Sequence, residues 1–489
     1  MRTLLPVLNV LGLIMALFSL TMLVPIGMAW YFQDGALRIF SLSLVGSATA
    51  GFLLYSSTRM FRRELRPRDG FLLVTLVWSV LPLLAACPLY WYFWEQGQPL
   101  SFTDAYFEAM SGLTTTGSTV LNELDKLPHA INAWRSSLTW MGGMGVLVLA
   151  VAILPMLGTG GSQIFRAETP GPMKDEKLTP RITGTAKGLY AIYLLVSLSC
   201  MLGYRMAGMS WFDAYCHMGS TVGLGGFSTR DAGFAAFDSP AIEAVAVIFM
   251  LIAGINFATH FSAFRSRSLE PYRGSSEVRS YVLVLLLSVV LMTAFLWLHQ
   301  VYPTFGSALR HALFNTVSVA TTTGFVNTDY SLWPVFAPVF MLGLSCFVTS
   351  AGSTGGGIKM VRMIILVKQA RREFVRLLHP RSVSPVRLNG KAVDNNVIFS
   401  VMAFVLLYMG SLVVLSMAML FTGLDAVSAF TAVMASLNST GPGLGVVGPA
   451  STYAVLTDAQ TWICTIAMLL GRLELFSVLV LFTPGFWKK

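Results

Sequence analysis

Four stretches of this chain align with one another and carry residue types that could surround an ion. They are Phe107–Ser118 (FEAMSGLTTTGS), Cys216–Phe227 (CHMGSTVGLGGF), Phe314–Phe325 (FNTVSVATTTGF) and Thr431–Pro442 (TAVMASLNSTGP). Laid over one another, they bring Gly117, Gly226, Gly324 and Gly441 into register. The residues leading into each glycine complete four candidate filter strands: Thr115 and Thr116, Leu224 and Gly225, Thr322 and Thr323, and Ser439 and Thr440. Only the first and third stretches share the full TTTG. Four such strands around one axis can present a narrow ring of backbone carbonyls in place of an ion's hydration shell. Glycine admits the dihedrals that turn a carbonyl toward the ion. The hydroxyls of Thr116, Thr323 and Thr440 can tie the strands down. A lone glycine in a membrane helix reads as a turn or packing residue, but four in register favour an ion filter.

Two further features could act on such a path. Ser350, Ala351, Gly352, Ser353, Thr354, Gly355, Gly356 and Gly357 interrupt an apolar run near its middle. A continuous helix there is poor, since each Gly costs roughly 1 kcal/mol against Ala; the plain alternative is a small-residue helix crossing. Arg472 lies inside the last apolar run and is followed by Glu474. A mid-membrane charge costs about 2.5–3.5 kcal/mol on insertion scales, so Arg472 must face protein or water. A structural pair with Glu474 is its plain reading. Asn256 and His260 fall one turn apart on a candidate span and can share a face; they are read as packing residues. Cys87, Cys200, Cys216, Cys346 and Cys464 have unrelated spacings and form neither a metal pattern nor a disulfide framework. No nucleophile–base arrangement, Walker motif or dinucleotide fingerprint is present, so no catalytic site and no organic cofactor are expected. A polytopic enzyme would need acids, His or Cys gathered at one membrane face, and here the acids are scattered.

These residues have to be positioned by membrane-spanning helices. The 489 residues are 55% hydrophobic and only 11% charged, with mean hydropathy +0.68, whereas a soluble domain carries about 25% charged residues. The first apolar run, Leu4–Trp30, lacks a clean cleavage site and is read as a retained span. Spans are predicted over 4–30, 37–57, 70–94, 134–158, 184–206, 240–262, 278–301, 335–370, 395–422 and 459–483. The net charge of +10 gathers in alternate loops. Arg59, Arg62, Arg63, Arg66 and Arg68 lie in one, and Arg166, Lys174, Lys177, Arg181 and Lys187 in the next. Arg265, Arg267, Arg273 and Arg279 follow, then Lys368, Arg371, Arg372, Arg376, Arg381, Arg387 and Lys391. The positive-inside rule makes these loops cytoplasmic and puts both termini inside. With no soluble basic domain, nucleic acid is not an expected partner.

The expected architecture is an all-α polytopic membrane protein. Residues 1–68 form an N-terminal two-helix hairpin, and four parallel helix–pore-loop–helix repeats follow at 69–165, 166–272, 273–390 and 391–489, related by pseudo-fourfold symmetry around one pore. Each short segment is a helix starting near Asp104, Ser210 or Asp425, where a carboxylate or hydroxyl can cap free N–H groups. The segments share one orientation, which argues against inverted-repeat transporters.

At this point the chain resembles the Trk/Ktr/HKT superfamily of potassium transport proteins, in particular its bacterial TrkH type. The carrying motifs are SGLTTTGST at 111–119, WMGGMGV at 140–146, GLGGFST at 223–229, GINFATHF at 254–261, TTTGF at 321–325, SAGSTGGGIK at 350–359, NSTGPGLG at 438–445 and GRLELF at 471–476. The resemblance covers nearly the whole chain, including the leading hairpin. It implies a potassium pathway through each protomer, a homodimer in the lipid of the bacterial cytoplasmic (inner) membrane, and a cytoplasmic TrkA-type nucleotide-binding regulatory subunit. It also implies that Ser350–Ile358 is an intramembrane gating loop beneath the filter, with Arg472 facing the pore and touching that loop. The full TVGYG of potassium channels is absent. A secondary transporter coupling potassium to proton or sodium flux remains the alternative.

Overall fold

The computed structural model describes residues 4–148, apart from 62 and 64, and residues 182–488. The described residues are mostly helical. Among the described residues, six helices are long and apolar enough to cross a membrane, or up to eight if each of two bent pairs is one span. The end of the span predicted over 134–158 lies outside the described residues, as do Arg62, Arg166, Lys174, Lys177 and Arg181; the described part is the helix His129–Val148.

The spanning helices bury one stripe and leave an equally apolar stripe open. On Ser276–Leu298, Val278, Tyr281, Leu285, Val289 and Met292 are buried, while Leu283, Leu286, Leu287 and Val290 are exposed. Hydrophobic residues all round a helix suit one side facing protein and the other facing lipid. The N-terminal hairpin packs Leu5–Ser19 against Leu37–Thr58 through two facing glycines. A Cβ on Gly12 would stand 2.6 Å from the Tyr55 nitrogen, and one on Gly51 2.6 Å from the Ala16 nitrogen. The backbones touch because no side chains intervene.

Between the spans lie four short helices that do not cross: Phe102–Leu113, Trp211–Gly223, Phe305–Ala320 and Ala426–Asn438. Each opens on a capping oxygen. Ser101 accepts from the Asp104 nitrogen, Ser210 from Asp213, Thr304 from Ser307 and Asp425 from Ser428. Ser210 and Asp425 are caps as expected. Asp104 is not; it sits in the first turn, where its carboxylate accepts from Ser101 Oγ, and a negative charge there favours the helix dipole.

Three predicted spans are broken. The one over 240–262 is two helices, Pro240–Ala253 and Phe257–Ser266, meeting at 91°. Asn256 caps the second piece by accepting from the Ala258 nitrogen, so it shares no helical face with His260. His260 is satisfied by Tyr272 Oη and the Ile252 carbonyl. The last span bends by 106° between Asp458–Arg472 and Phe476–Phe482, where Glu474 and Leu475 both take positive φ. The run over 335–370 stops after Phe336–Ser345 and resumes as Met360–Leu378. An all-α fold was expected, but Arg387–Leu388 and Lys391–Ala392 form a small hairpin. Its turn is Asn389–Gly390, with φ of 49° and 81°, the pairing that matches strand twist.

The hairpin crossing gives a direct test. Gly51→Ala should destabilise the protein by about 1–3 kcal/mol through overpacking. Gly46→Ala on the same helix meets nothing within 4 Å and should be neutral or slightly stabilising. Thermal unfolding in detergent, followed by fluorescence-detected chromatography, separates the two; equal midpoints would contradict the crossing.

Candidate functional site

The four short helices end in the same way. Thr115, Leu224, Thr322 and Ser439 each take left-handed φ, at 55°, 53°, 61° and 53°. Two residues later Gly117, Gly226, Gly324 and Gly441 also have positive φ, at 84°, 65°, 80° and 94°. The intervening residue donates its N–H back into its helix: Thr116 to Ser111, Gly225 to Ser220, Thr323 to Ser318 and Thr440 to Ala435, at 2.8–2.9 Å. Left-handed backbone is unfavourable for Leu and Thr, so this geometry is imposed by the packing around it. The second strand, despite its different sequence GLGGF, follows the same path as the TTTG strands.

The strands close into a ring. A Cβ on Gly117 would overlap the Gly225 carbonyl, one on Gly226 the Thr323 carbonyl, and one on Gly324 the Thr440 carbonyl. A Cβ on Gly441 would stand 2.8 Å from the Thr116 carbonyl. Each glycine thus abuts the carbonyl just ahead of the next strand's glycine, and the fourth returns to the first. The helices reach this ring with their C-terminal ends, whose partial negative charge favours a cation.

The hydroxyls divide. Thr116 pairs with Thr114 and Thr323 with Thr321, each at 2.8 Å. Thr440 Oγ1 is buried without a hydrogen-bond partner, so it does not tie the fourth strand. The Gly441 carbonyl accepts from both Ser118 Oγ and Tyr453 Oη, each at 2.9 Å. With both lone pairs taken, Gly441 supplies a turn and not a free carbonyl.

On one side, a cavity of about 410 Å³ is lined by all four glycines and by Asn122, Arg135, Arg230 and Asp231 among others. Near its rim, burial alone would raise the Asp125 carboxyl, but the Arg230 guanidinium and the Asp231 amide hold it below the usual range.

On the other side sits the glycine-rich segment. Gly356 N donates to Thr322 Oγ1 at 2.9 Å, and Thr354 Oγ1 to the Val222 carbonyl at 2.9 Å. A Cβ on Gly356 would overlap the Asn438 carbonyl. The segment is clasped by the break between Pro240–Ala253 and Phe257–Ser266, where Ser350 N donates to the Gly254 carbonyl and Phe257 N to the Gly352 carbonyl. Ala351 N donates to Glu277, and Ser353 Oγ to the Ser350 carbonyl. Gly352 and Gly357 take φ of 74° and 79°, conformations that end a helix. Gly355 accepts from the Lys359 ammonium.

Arg472 reaches this segment. Its guanidinium donates to the Thr354 carbonyl at 2.9 Å and to the Gly142 carbonyl at 2.7 Å. It does not pair with Glu474, which turns the other way and meets Arg362 at 2.6 Å. The 106° bend between them separates two residues that stand two apart in sequence. Sequence reasoning missed Arg362, Glu277 and Lys359 as supports: Glu474 and Ala351, the partners of the first two, are far away in sequence, and Lys359 turns back onto the Gly355 carbonyl only because the helix starts after it. It also passed over Glu108 and Arg135, a fully buried ion pair at 2.7 Å beside the ring.

Comparison with known proteins follows from this geometry. Residues 37–489 match the TrkH family, described as a cation transport protein. The chain is 45% identical over 481 residues to the Trk system potassium uptake protein TrkH of Salmonella typhimurium (strain LT2), covering 98% of this chain and 99% of that one. It is 46% identical over 484 residues to the protein of the same description from Halomonas elongata, covering 99% of each. The crystal structure of the potassium transporter TrkH from Vibrio parahaemolyticus superposes with a TM-score of 0.90 at 41% identity, covering 100% of this chain and 99% of that one.

The doubly held carbonyl can be tested. Tyr453→Phe or Ser118→Ala should each cost about 1 kcal/mol, the net worth of one hydrogen bond, while together they strand a buried carbonyl and cost more than the sum. Thermal unfolding of the two single variants and the pair measures this; strict additivity would mean that the oxygen finds another donor.

Proposed function

The chain belongs to the TrkH family of cation transport proteins, and from that membership we propose that it takes up potassium through a gated, channel-like pore in the bacterial cytoplasmic membrane. The observation that carries the proposal is the cyclic abutment of the four glycine strands at the ends of four helices. The ions are coordinated by backbone carbonyls of the strands at Thr115–Gly117, Leu224–Gly226, Thr322–Gly324 and Ser439–Gly441, the Gly441 oxygen excepted. Four left-handed residues in equivalent places support pseudo-fourfold symmetry among the repeats at 69–165, 166–272, 273–390 and 391–489. The site chemistry is ion coordination, and the protein is not an enzyme.

Ser350–Gly357 lies across the inner face of the ring and acts as the gate, with Arg472 adding a positive charge beside it. A cation leaving the filter meets a backbone plug and an unfavourable charge where screening by water is weak. The exposed basic stretch carrying Arg371, Arg376 and Arg381 supports a cytoplasmic TrkA-type regulatory subunit docking there, with both termini on the same side. The family resemblance supports a homodimer.

Rubidium and sodium flux into liposomes, with and without a regulatory subunit, tests the whole. Steady downhill rubidium flux without a counter-ion gradient is expected; a strict need for a proton or sodium gradient would make the protein a coupled carrier. Gly324→Ser should reduce the preference for rubidium over sodium or abolish uptake while the protein still inserts, because a Cβ there strains the backbone and meets the Thr440 carbonyl. Unchanged preference would remove the filter role.

The gate makes a separate prediction. Deleting part of Ser353–Gly356 should raise flux, and Arg472→Ala should do the same, with a non-additive pair because both act at one constriction. Rubidium uptake at matched protein levels measures this. Lower flux in both folded single variants would mean that these residues support conduction.

A further inference from the structure

The position nine residues ahead of each filter glycine holds Glu108, His217, Asn315 and Ala432. In the first three repeats that side chain leaves its short helix and grips the chain just beyond its own glycine. Glu108 accepts from Thr119 Oγ1 at 2.9 Å and from the Val120 nitrogen at 3.0 Å. His217 Nδ1 donates to the Asp213 carbonyl, leaving Nε2 to accept from Ser228 Oγ at 3.0 Å. Asn315 Nδ2 donates to Asn327 Oδ1 at 2.6 Å. In the fourth repeat Ala432 has no polar group, and the neighbouring Thr431 replaces it, its hydroxyl accepting from the Leu444 nitrogen at 2.9 Å. Every filter strand is therefore pinned beyond its glycine by its own short helix, with a different chemical group in each repeat.

The first brace is of another order from the rest. Glu108 is 0% exposed and Arg135 is 1% exposed. Arg135 Nε bonds Glu108 at 2.7 Å, while its other nitrogens donate to Asn132 Oδ1, the Ser228 carbonyl and Thr119 Oγ1, each at 3.1 Å. Its guanidinium lies 4.3 Å from the Phe227 ring centroid. One ion pair thus holds the exit of the first strand and, through Ser228 and Phe227, the exit of the second. His217 also meets Ser228, so two braces converge on one residue. The third is less complete, because Asn315 Oδ1 and Asn327 Nδ2 are buried without partners.

We infer that these side chains are positioning residues for ion preference, and that the Glu108–Arg135 pair is the dominant one. The inference rests on the filter reading above. A ring of carbonyls discriminates between cations only if its radius resists collapse around the smaller one, or if its carbonyl number is kept. Both demand that the strands be held from behind. A charged, fully buried clamp joining two strands resists displacement more than the uncharged braces that Asn315 and Thr431 supply to the third and fourth. Arg135 also lines the cavity over the glycines, so Glu108 plays a second part by neutralising a cationic group at the entrance to the filter.

The test compares rubidium and sodium flux in liposomes for Glu108→Gln, Asn315→Ala and Gly324→Ser. Glu108→Gln keeps the side-chain shape but removes the charge that Arg135 needs. The control is Arg310→Gln, which breaks an ion pair with Glu243 and Asp238 that touches no filter strand. Glu108→Gln should lower the rubidium-to-sodium ratio by roughly tenfold or more, the scale of a lost hydrogen bond to a charged group; Asn315→Ala should lower it less. Glu108→Asp, which restores the charge, should recover part of the loss. Arg310→Gln should shift the unfolding midpoint without altering the ratio. If Gly324→Ser changes the ratio and folded Glu108→Gln does not, the brace inference fails and the filter reading stands. If neither changes it, the filter reading itself fails. If Arg310→Gln lowers the ratio equally, the effect is general destabilisation and positioning is refuted.

Discussion

Four short helices end buried among the apolar spans of this protein, and each end leaves backbone groups that lipid could not satisfy. An unpaired backbone group in hydrocarbon costs several kcal/mol, so irregular backbone at that depth survives only where protein or a watery path surrounds it. The rest of the architecture follows from that constraint. The left-handed residues at 115, 224, 322 and 439 let the following N–H turn back to its own helix. The carbonyls of Gly225, Thr323, Thr440 and Thr116 stand against the glycine of the neighbouring strand.

The same constraint explains why the spans break where they do. The glycine-rich segment beneath the ring brings its own unpaired backbone groups into the membrane, and it finds partners on other broken elements. The kink at Gly254–Asn256 frees a carbonyl for Ser350, and Phe257 at the start of the next helix offers an N–H to Gly352. The bend after Arg472 sends the arginine to Thr354 and the following glutamate to Arg362. These three breaks are thus mutually compensating: each supplies what another lacks. Glycine at 142, 356 and 471 allows the close approach, since a Cβ at any of them would overlap a carbonyl of one of the short helices.

Much of this was legible in the chain. The register of four glycines, the short helices ahead of them and the interruption at 350–357 all rest on local residue type, and local type decides turns and caps. The breaks at 254–256 and 473–475 were not legible, because hydropathy averages over a window and both sites stay apolar on either side. The route of Arg472 was ambiguous for a related reason: Glu474 is its neighbour in sequence, and only the bend sends the two apart. Glu277 and Arg362 look like ordinary interfacial charges until distant segments fold against them. The brace position is the instructive case. Glu108, His217, Asn315 and Ala432 are visible in the aligned stretches, yet they share no chemistry, and similarity of type is what the eye follows. What they share is a direction, from helix to exit strand, and only coordinates carry that.

Building the ring from one polypeptide makes such divergence possible. In a ring of four identical chains, a group that suits one corner is repeated at all of them, so a buried ion pair like Glu108–Arg135 would appear four times. Here each corner can be adjusted separately. The second strand replaces threonine with Leu224 and Gly225 yet keeps the same dihedrals, because Arg135 and His217 hold its exit at Ser228. The fourth loses the threonine pair, shifts its brace by one residue to Thr431, and is held at its glycine by Ser118 and Tyr453. Backbone geometry is the quantity held constant around the ring, and the side chains that enforce it are free to differ.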